Sequence, residues 1–460
     1  MVPHFPLHTH KGGARNSSLY NQFAPVSPTH QQSPHSPPGY ARSDKLSGLS
    51  PLALQVMAEL KMPSSVEIGA VPLKPPPNQA NQPSQSDDDP HQPQAAPVDD
   101  LLTLVITTSP TPSAPSTELL SVIMDSFKRF CPGLASCRVI LVLDTFDRIA
   151  DAPRLKKGHV TAEGASKYTE YKENAKQLIL SEYGVDPGKG GSGSDASELL
   201  VTTGDAEFGS DLYAQQTNSV PLTITRTRNG RVTFIEPTQR VGFGLAVRSA
   251  LRLVKTKYVW IQQHDWSLVS DIPLGELLRL MQQQQPGSDD DENVMTTGDN
   301  KQVLTVPIKY VCFPSIRMVS YATSDHVMLF PALRALTNLH KQKFSMPPNI
   351  QGERVKIPLT PLFFWHDKPH LAETEHYLAK VFPHRRAMPR GAFIEDTVGH
   401  RARNEMKDGQ WKKWACWLYY PDEGKQLCVK HLKGRTYRGA EAELAQKLER
   451  MKLGVVAGEE

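Results

Sequence analysis

Three acidic features of this 460-residue chain stand directly behind short apolar runs. Asp144 follows Cys137-Arg-Val-Ile-Leu-Val-Leu143. Asp265 follows Tyr258-Val-Trp-Ile-Gln-Gln-His264, and Glu395-Asp396 follows Gly391-Ala-Phe-Ile394. Apolar, β-branched runs of this length read as buried strands. Open α/β sheets bind ligands where the carboxyl ends of such strands emerge. A carboxylate there can hold a divalent cation, meet a phosphate-bearing substrate, or take up a proton. Taken singly, each is equally a helix cap or a turn residue. A parallel sheet would bring all three to one edge and around one cleft.

The elements that must position them can be read along the chain. Leu101-Leu-Thr-Leu-Val-Ile-Thr107 is a strand ended by Ser109-Pro110, and Ser116-Thr117-Glu118 opens an apolar-periodic helix from Leu119 to Phe130. With Cys137–Leu143 this makes a strand–helix–strand unit, so the two strands are expected to be parallel. Gly242 starts a turn and a helix whose Val247, Ala250, Leu251 and Val254 share one face, leaving Arg248, Arg252 and Lys255 to solvent. The strand ending at Asp265 comes next. Residues 160–183 read as an exposed helix carrying Tyr168 and Tyr171, and Val220–Thr225 as a resumption of the strand–helix rhythm. Later, Lys309–Phe313 reads as a strand, Pro361–Trp365 as an aromatic extended segment, and His370–Val381 as a helix. Residues 391–396 read as a strand leading to a helix that ends near Met406. Trp414–Tyr420 and Gln426–His431 look like the arms of a β-hairpin.

Composition bounds the rest. Residues 1–98 hold 17 of the 38 prolines, with abundant Gln, Ser and His, and are expected to be a disordered tail. Within it, Leu52–Met62 is a candidate docking helix for protein partners. The remainder suits a single domain over 99–440, with insertions near 148–215 and 284–302 and a C-terminal helix or tail over 441–460. A net charge of +4 and the lack of a basic run interleaved with aromatics do not imply nucleic acid. Cys131, Cys137, Cys312, Cys416 and Cys428 form no CxxC pair, which argues against zinc and fits a reducing compartment. No apolar window is long enough for a transmembrane helix. A soluble, cytoplasmic protein is expected, with organelle targeting by the acid-free N-terminus as the alternative.

In this order of parts the chain resembles the GT-A-fold glycosyltransferases, closest in layout to glycosyltransferase family 2. The resemblance rests on Leu101–Thr107, Val139–Asp144, Gly242–Asp265 and Phe393-Ile-Glu395-Asp396-Thr397, and covers about 101–406. It implies an α/β, GT-A-like (Rossmann-like) fold with a mostly parallel central sheet flanked by helices, here with a C-terminal β-hairpin. It also implies transfer of a sugar from a nucleotide-diphosphate donor to an acceptor hydroxyl by inverting displacement. Asp396 would be the base, with Glu395 next to it. Asp144 would hold the nucleotide's base or ribose, and Thr107 and Ser109 would touch the donor. Asp265 would ligate Mn²⁺ or Mg²⁺, with His431 completing the shell. Lys430 and Arg435 are the alternative grip on the diphosphate. Trp365, His366 and Asp367 would face the acceptor. One departure stands out: Gln263 occupies the first acidic position of the DxD-type motif, which puts metal dependence in question. A catalytically inactive GT-A-like binding or scaffold protein and a sugar nucleotidyltransferase are the rival readings.

Overall fold

The computed structural model describes residues 97–185, 198–209, 218–283, 307–346, 354–385 and 387–452. Residues 1–96 of the expected N-terminal tail, its candidate docking helix and the insertion near 284–302 lie outside the described residues.

Among the described residues the core is one eleven-stranded sheet. In chain order its strands are β1 Leu102–Thr108, β2 Arg138–Leu143, β3 Leu199–Phe208, β4 Asn218–Thr227, β5 Val232–Pro237, β6 Tyr258–Gln263, β7 Tyr310–Cys312, β8 Gln342–Ser345, β9 Lys356–Pro361, β10 His370–Glu373 and β11 Cys416–Tyr419. Their spatial order is β8-β9-β11-β7-β10-β6-β1-β2-β5-β4-β3. The four strands β6-β1-β2-β5 run parallel. Every residue of β1 is buried, because helices cover both faces of a central parallel strand and leave no polar face to alternate with. The principal helices are α1 Glu118–Phe130, α2 Ala162–Glu182, α3 Phe243–Leu251, α4 Leu274–Gln283, α5 Pro331–His340 and α6 Thr374–Val381. From β1 the chain builds outward through β2 to β5, then returns to place β6 on the other side of β1. The strand order therefore reverses between β1 and β6. Crevices at such reversals are where open α/β sheets bind ligands.

The structure changes several expectations. The sheet is mixed rather than mostly parallel, because β3, β4 and β5 form an antiparallel meander and β10 inserts antiparallel between β6 and β7. The expected helix from His370 is a strand for its first four residues. Its Leu371 and Ala372 are fully buried, and α6 starts only at Thr374. The α2 helix is not an exposed elaboration, since Tyr168 and Tyr171 are buried and the Tyr168 hydroxyl donates to the Asp144 carbonyl. Arg248 is not solvated: all of α3 is buried, and Arg248 Nη1 donates to the Glu207 and Arg385 carbonyls at 2.8 and 2.9 Å. Residues 391–394 form a turn rather than a strand, leading into a π-helical turn over Glu395–Gly399.

The C-terminal hairpin is absent. Buried Cys416-Trp417-Leu418 suits an interior strand, and β11 pairs with β7 and β9 instead. Asp422 and Glu423 adopt left-handed conformations that redirect the chain after β11. Val429–His431 then pairs antiparallel with Trp266–Leu268, the short strand just beyond Asp265. No described helix is long and apolar enough to cross a membrane.

Candidate functional site

A cleft opens at the reversal between β1 and β6. Thr107, Thr108 and Ser109 form one wall, and Gln263, His264 and Asp265 form another. Asp144, Gly242 and Phe243 line the side toward α3, and Phe393 and Arg435 line it too, with the guanidinium 5.3 Å from the ring centroid. The enclosed part measures about 70 Å³.

Asp265 is buried and held from two directions. Its Oδ2 lies 3.1 Å from His431 Nε2 and accepts the Gly434 N–H at 3.1 Å. Its backbone carbonyl accepts the Leu432 N–H at 2.7 Å. Oδ1 takes no hydrogen bond among the described residues. Burial pushes this carboxyl up, but the His431 bond, the adjacent imidazoles and the Gly434 N–H outweigh it, so it sits below the ordinary carboxylate value. Gly434 is the only residue type that fits here. A Cβ would stand 2.8 Å from Asp265 Cβ and 2.9 Å from His264 Nε2. Thr111 Oγ1 fixes the same glycine by donating to its carbonyl at 2.9 Å.

His264 is buried, and burial lowers its pKa. Its Nδ1 accepts the Ser109 N–H at 3.3 Å, which assigns the proton of the neutral ring to Nε2. Gln263 does not offer its amide nitrogen to the cleft; Nε2 donates to the Asp367 carbonyl at 2.8 Å. A carboxylate in this place would oppose a carbonyl oxygen, which accounts locally for an amide where an acid was expected.

Asp144 lines the cleft while serving as an internal staple. It accepts the N–H groups of Val241 at 2.8 Å, Gly242 at 2.9 Å and Thr145 at 2.9 Å. Burial raises its pKa to about 6 against these stabilising bonds. The stapled turn in turn carries the late carboxylates. Gly391 N–H donates to the Val241 carbonyl at 2.7 Å, and Gly244 N–H to that of Ala392 at 3.0 Å. Gly242 (φ 79°) is so close to Gly391 that a Cβ would lie 2.5 Å from the Gly391 Cα.

Glu395 and Asp396 differ sharply in this turn. Glu395 Oε2 accepts the Asp367 N–H at 3.3 Å and lies 3.5 Å from His366 Nδ1. Burial opposes its ionisation, yet His366, the Asp367 N–H and Lys368 hold it below the usual carboxylate range. Asp367 is buried, accepts the Glu395 N–H at 3.0 Å, and is pushed well above its ordinary value by burial and by the Glu395 charge. Asp396 is exposed and makes no hydrogen bond or ion pair among the described residues. Neither Glu395 nor Asp396 lines the cleft itself, whose nearest contribution from this turn is Phe393.

The structure thus gathers Thr107, Ser109, Asp144, Asp265, His431 and Arg435 at or against one cleft. It does not bring Lys430 there: that residue is exposed on the strand beside His431 and outside the lining. The acceptor reading of Trp365 is overturned. Its side chain is fully buried against Tyr310, Tyr377 and Trp414, so it is core. His366 is largely buried, and Asp367 is engaged with Glu395. Sequence reasoning passed over His264, Thr111 and Gly434. A glycine three residues after His431 is a weak signal until its partner, 169 residues away, is known. Among the described residues, no group of three or more His, Cys, Asp or Glu side chains is gathered for a metal. No protein-family model matches the chain, and no curated protein sequence matches it.

Proposed function

We propose that this domain is a GT-A-type glycosyltransferase that binds a nucleotide-diphosphate sugar in the β1/β6 cleft. One observation carries the reading: Asp265 lines the cleft where the strand order reverses, its Oδ2 braced by His431 and Gly434 and its Oδ1 without a hydrogen bond among the described residues. Thr107, Ser109 and the Asp144-stapled turn supply the surrounding polar walls. Arg435 at the mouth supplies positive charge for a departing diphosphate. Asp396, exposed on the turn beyond Phe393, is the carboxylate free to take the acceptor's proton. Glu395 is the poorer base, because its neighbours favour the ionised form.

A divalent cation fits only as a shared ion. Asp265 and His431 are the protein donors, and phosphate oxygens and water would fill the remaining positions. Such a cation would neutralise charge on the leaving diphosphate. The engagement of Gln263 with Asp367 favours a second reading, a GT-A-like nucleotide-binding protein without turnover.

The test is incubation of the full chain with a panel of nucleotide sugars, with and without Mn²⁺, followed by measurement of released nucleotide. Release that is lost in Asp265→Asn and Asp396→Asn supports transfer. Tight nucleotide binding without release supports the binding protein. Absence of nucleotide binding refutes the site.

A further inference from the structure

Beside the cleft runs a groove of about 610 Å³, joined to it through Leu155 and Arg435, which line both. Arg154, Lys156, Lys157, Arg435 and Arg438 line this groove, and among the described residues no acidic one does. All five are exposed, and none forms an ion pair with a described carboxylate. Three segments build it: Pro112 in the chain after β1, the turn over Leu155–Lys157 with the residues just before it, and the chain that leaves the Asp265 brace at Gly434. Unpaired like charges held side by side repel, so their concentration favours an anion lying across them. A nucleotide-diphosphate sugar carries only about two negative charges at its phosphates, and Arg435 already faces the cleft. Four further cations therefore exceed what the donor needs. Among the described residues the groove also has no aromatic side chain on which a nucleobase could stack, which disfavours single-stranded nucleic acid.

We infer that the groove holds the acceptor, and that the acceptor is an anionic saccharide bearing carboxylate or phosphate groups. Its reactive hydroxyl would point past Arg435 into the cleft. This rests on the sugar-transfer reading for the name acceptor, but the anion site stands on its own residues.

The experiment uses the full chain and the quadruple variant Arg154→Ala/Lys156→Ala/Lys157→Ala/Arg438→Ala, whose substituted side chains are exposed and outside the cleft lining. Fluorescence anisotropy follows labelled oligogalacturonate, a phosphorylated oligomannoside, neutral oligomannoside and oligothymidylate, each with and without saturating UDP. A thermal melt checks that the variant is folded. The expected result is binding of one anionic saccharide with UDP present, weakened about tenfold in the variant and by added salt, with UDP affinity unchanged. Which of the two binds identifies the charged group. The inference is overturned if neither binds, if the quadruple variant binds as well, if UDP displaces the saccharide, or if oligothymidylate is preferred. Saccharide binding without any UDP binding would leave the groove assignment standing and remove the donor reading instead.

Discussion

Replacing Gly242 by Ala tests the contact that links the start of α3 to the turn carrying Glu395 and Asp396. Gly242 has φ 79° and ψ 169°, a region almost confined to glycine, and holding an alanine there costs about 2–3 kcal/mol. The new Cβ would also meet Gly391 backbone atoms at 2.5, 2.8 and 3.0 Å. Backbone cannot rotate away as a side chain tip can, so the two segments must part. Their separation strains two hydrogen bonds, Gly391 N–H to Val241 and Gly244 N–H to Ala392, each worth about 1 kcal/mol. The sum is about 4–5 kcal/mol. Gly409 provides the control, because it also has positive φ (85°), sits at ψ 2°, and has open space around its would-be Cβ. Gly409→Ala should cost only about 1–2 kcal/mol. Equilibrium urea unfolding of both variants, together with UDP titration, makes the comparison. Gly242→Ala should show the larger loss and weaker UDP binding, whereas Gly409→Ala should bind UDP normally. Equal losses in the two variants would refute the close approach and the linkage built on it.

Three further outcomes follow from the site. Gln263→Glu should destabilise the fold by about 1–3 kcal/mol, because a carboxylate would replace the donor to the Asp367 carbonyl; urea midpoints against Gln263→Met measure it. Asp265 ionises more readily folded than unfolded, so the unfolded chain binds the extra proton and stability rises with pH across that window. Its contribution should be complete above about pH 4 and lost as pH falls toward the lowered folded value, so urea melts of Asp265→Asn below that pH should show a shallower slope. An unchanged slope would remove the ionic role. Arg248→Met should cost about 2–4 kcal/mol by stranding the Glu207 and Arg385 carbonyls, read from the loss of thermal midpoint relative to Arg252→Met.

The parallel half of the sheet was legible because β1, β2 and β6 are buried on both faces and so appear as unbroken apolar runs ended by polar residues. Asp144 and Asp265 were readable for the same reason. What failed was long-range pairing. Gln426–His431 carries a strand signal but not its partner, and Trp266–Leu268 is too short to announce itself as one. The Asn229-Gly230 dipeptide between β4 and β5 is a strong hairpin signal that identifies the antiparallel meander, yet the strand–helix rhythm around it suggested otherwise. Arg248 and Trp365 show the limit of residue type. An arginine can be buried when two carbonyls await it, and an aromatic run can be core as readily as a stacking surface.

The brace on Asp265 has a consequence for how the protein comes into being. Its imidazole partner lies 166 residues downstream, and Gly434 later still. During synthesis, therefore, the strands β1, β2 and β6 are all made before the cleft has its brace or Arg435. The brace forms only once His431 and Gly434 have been made, so a chain cut short before His431 would carry Asp265 without either partner of its Oδ2 and without Arg435.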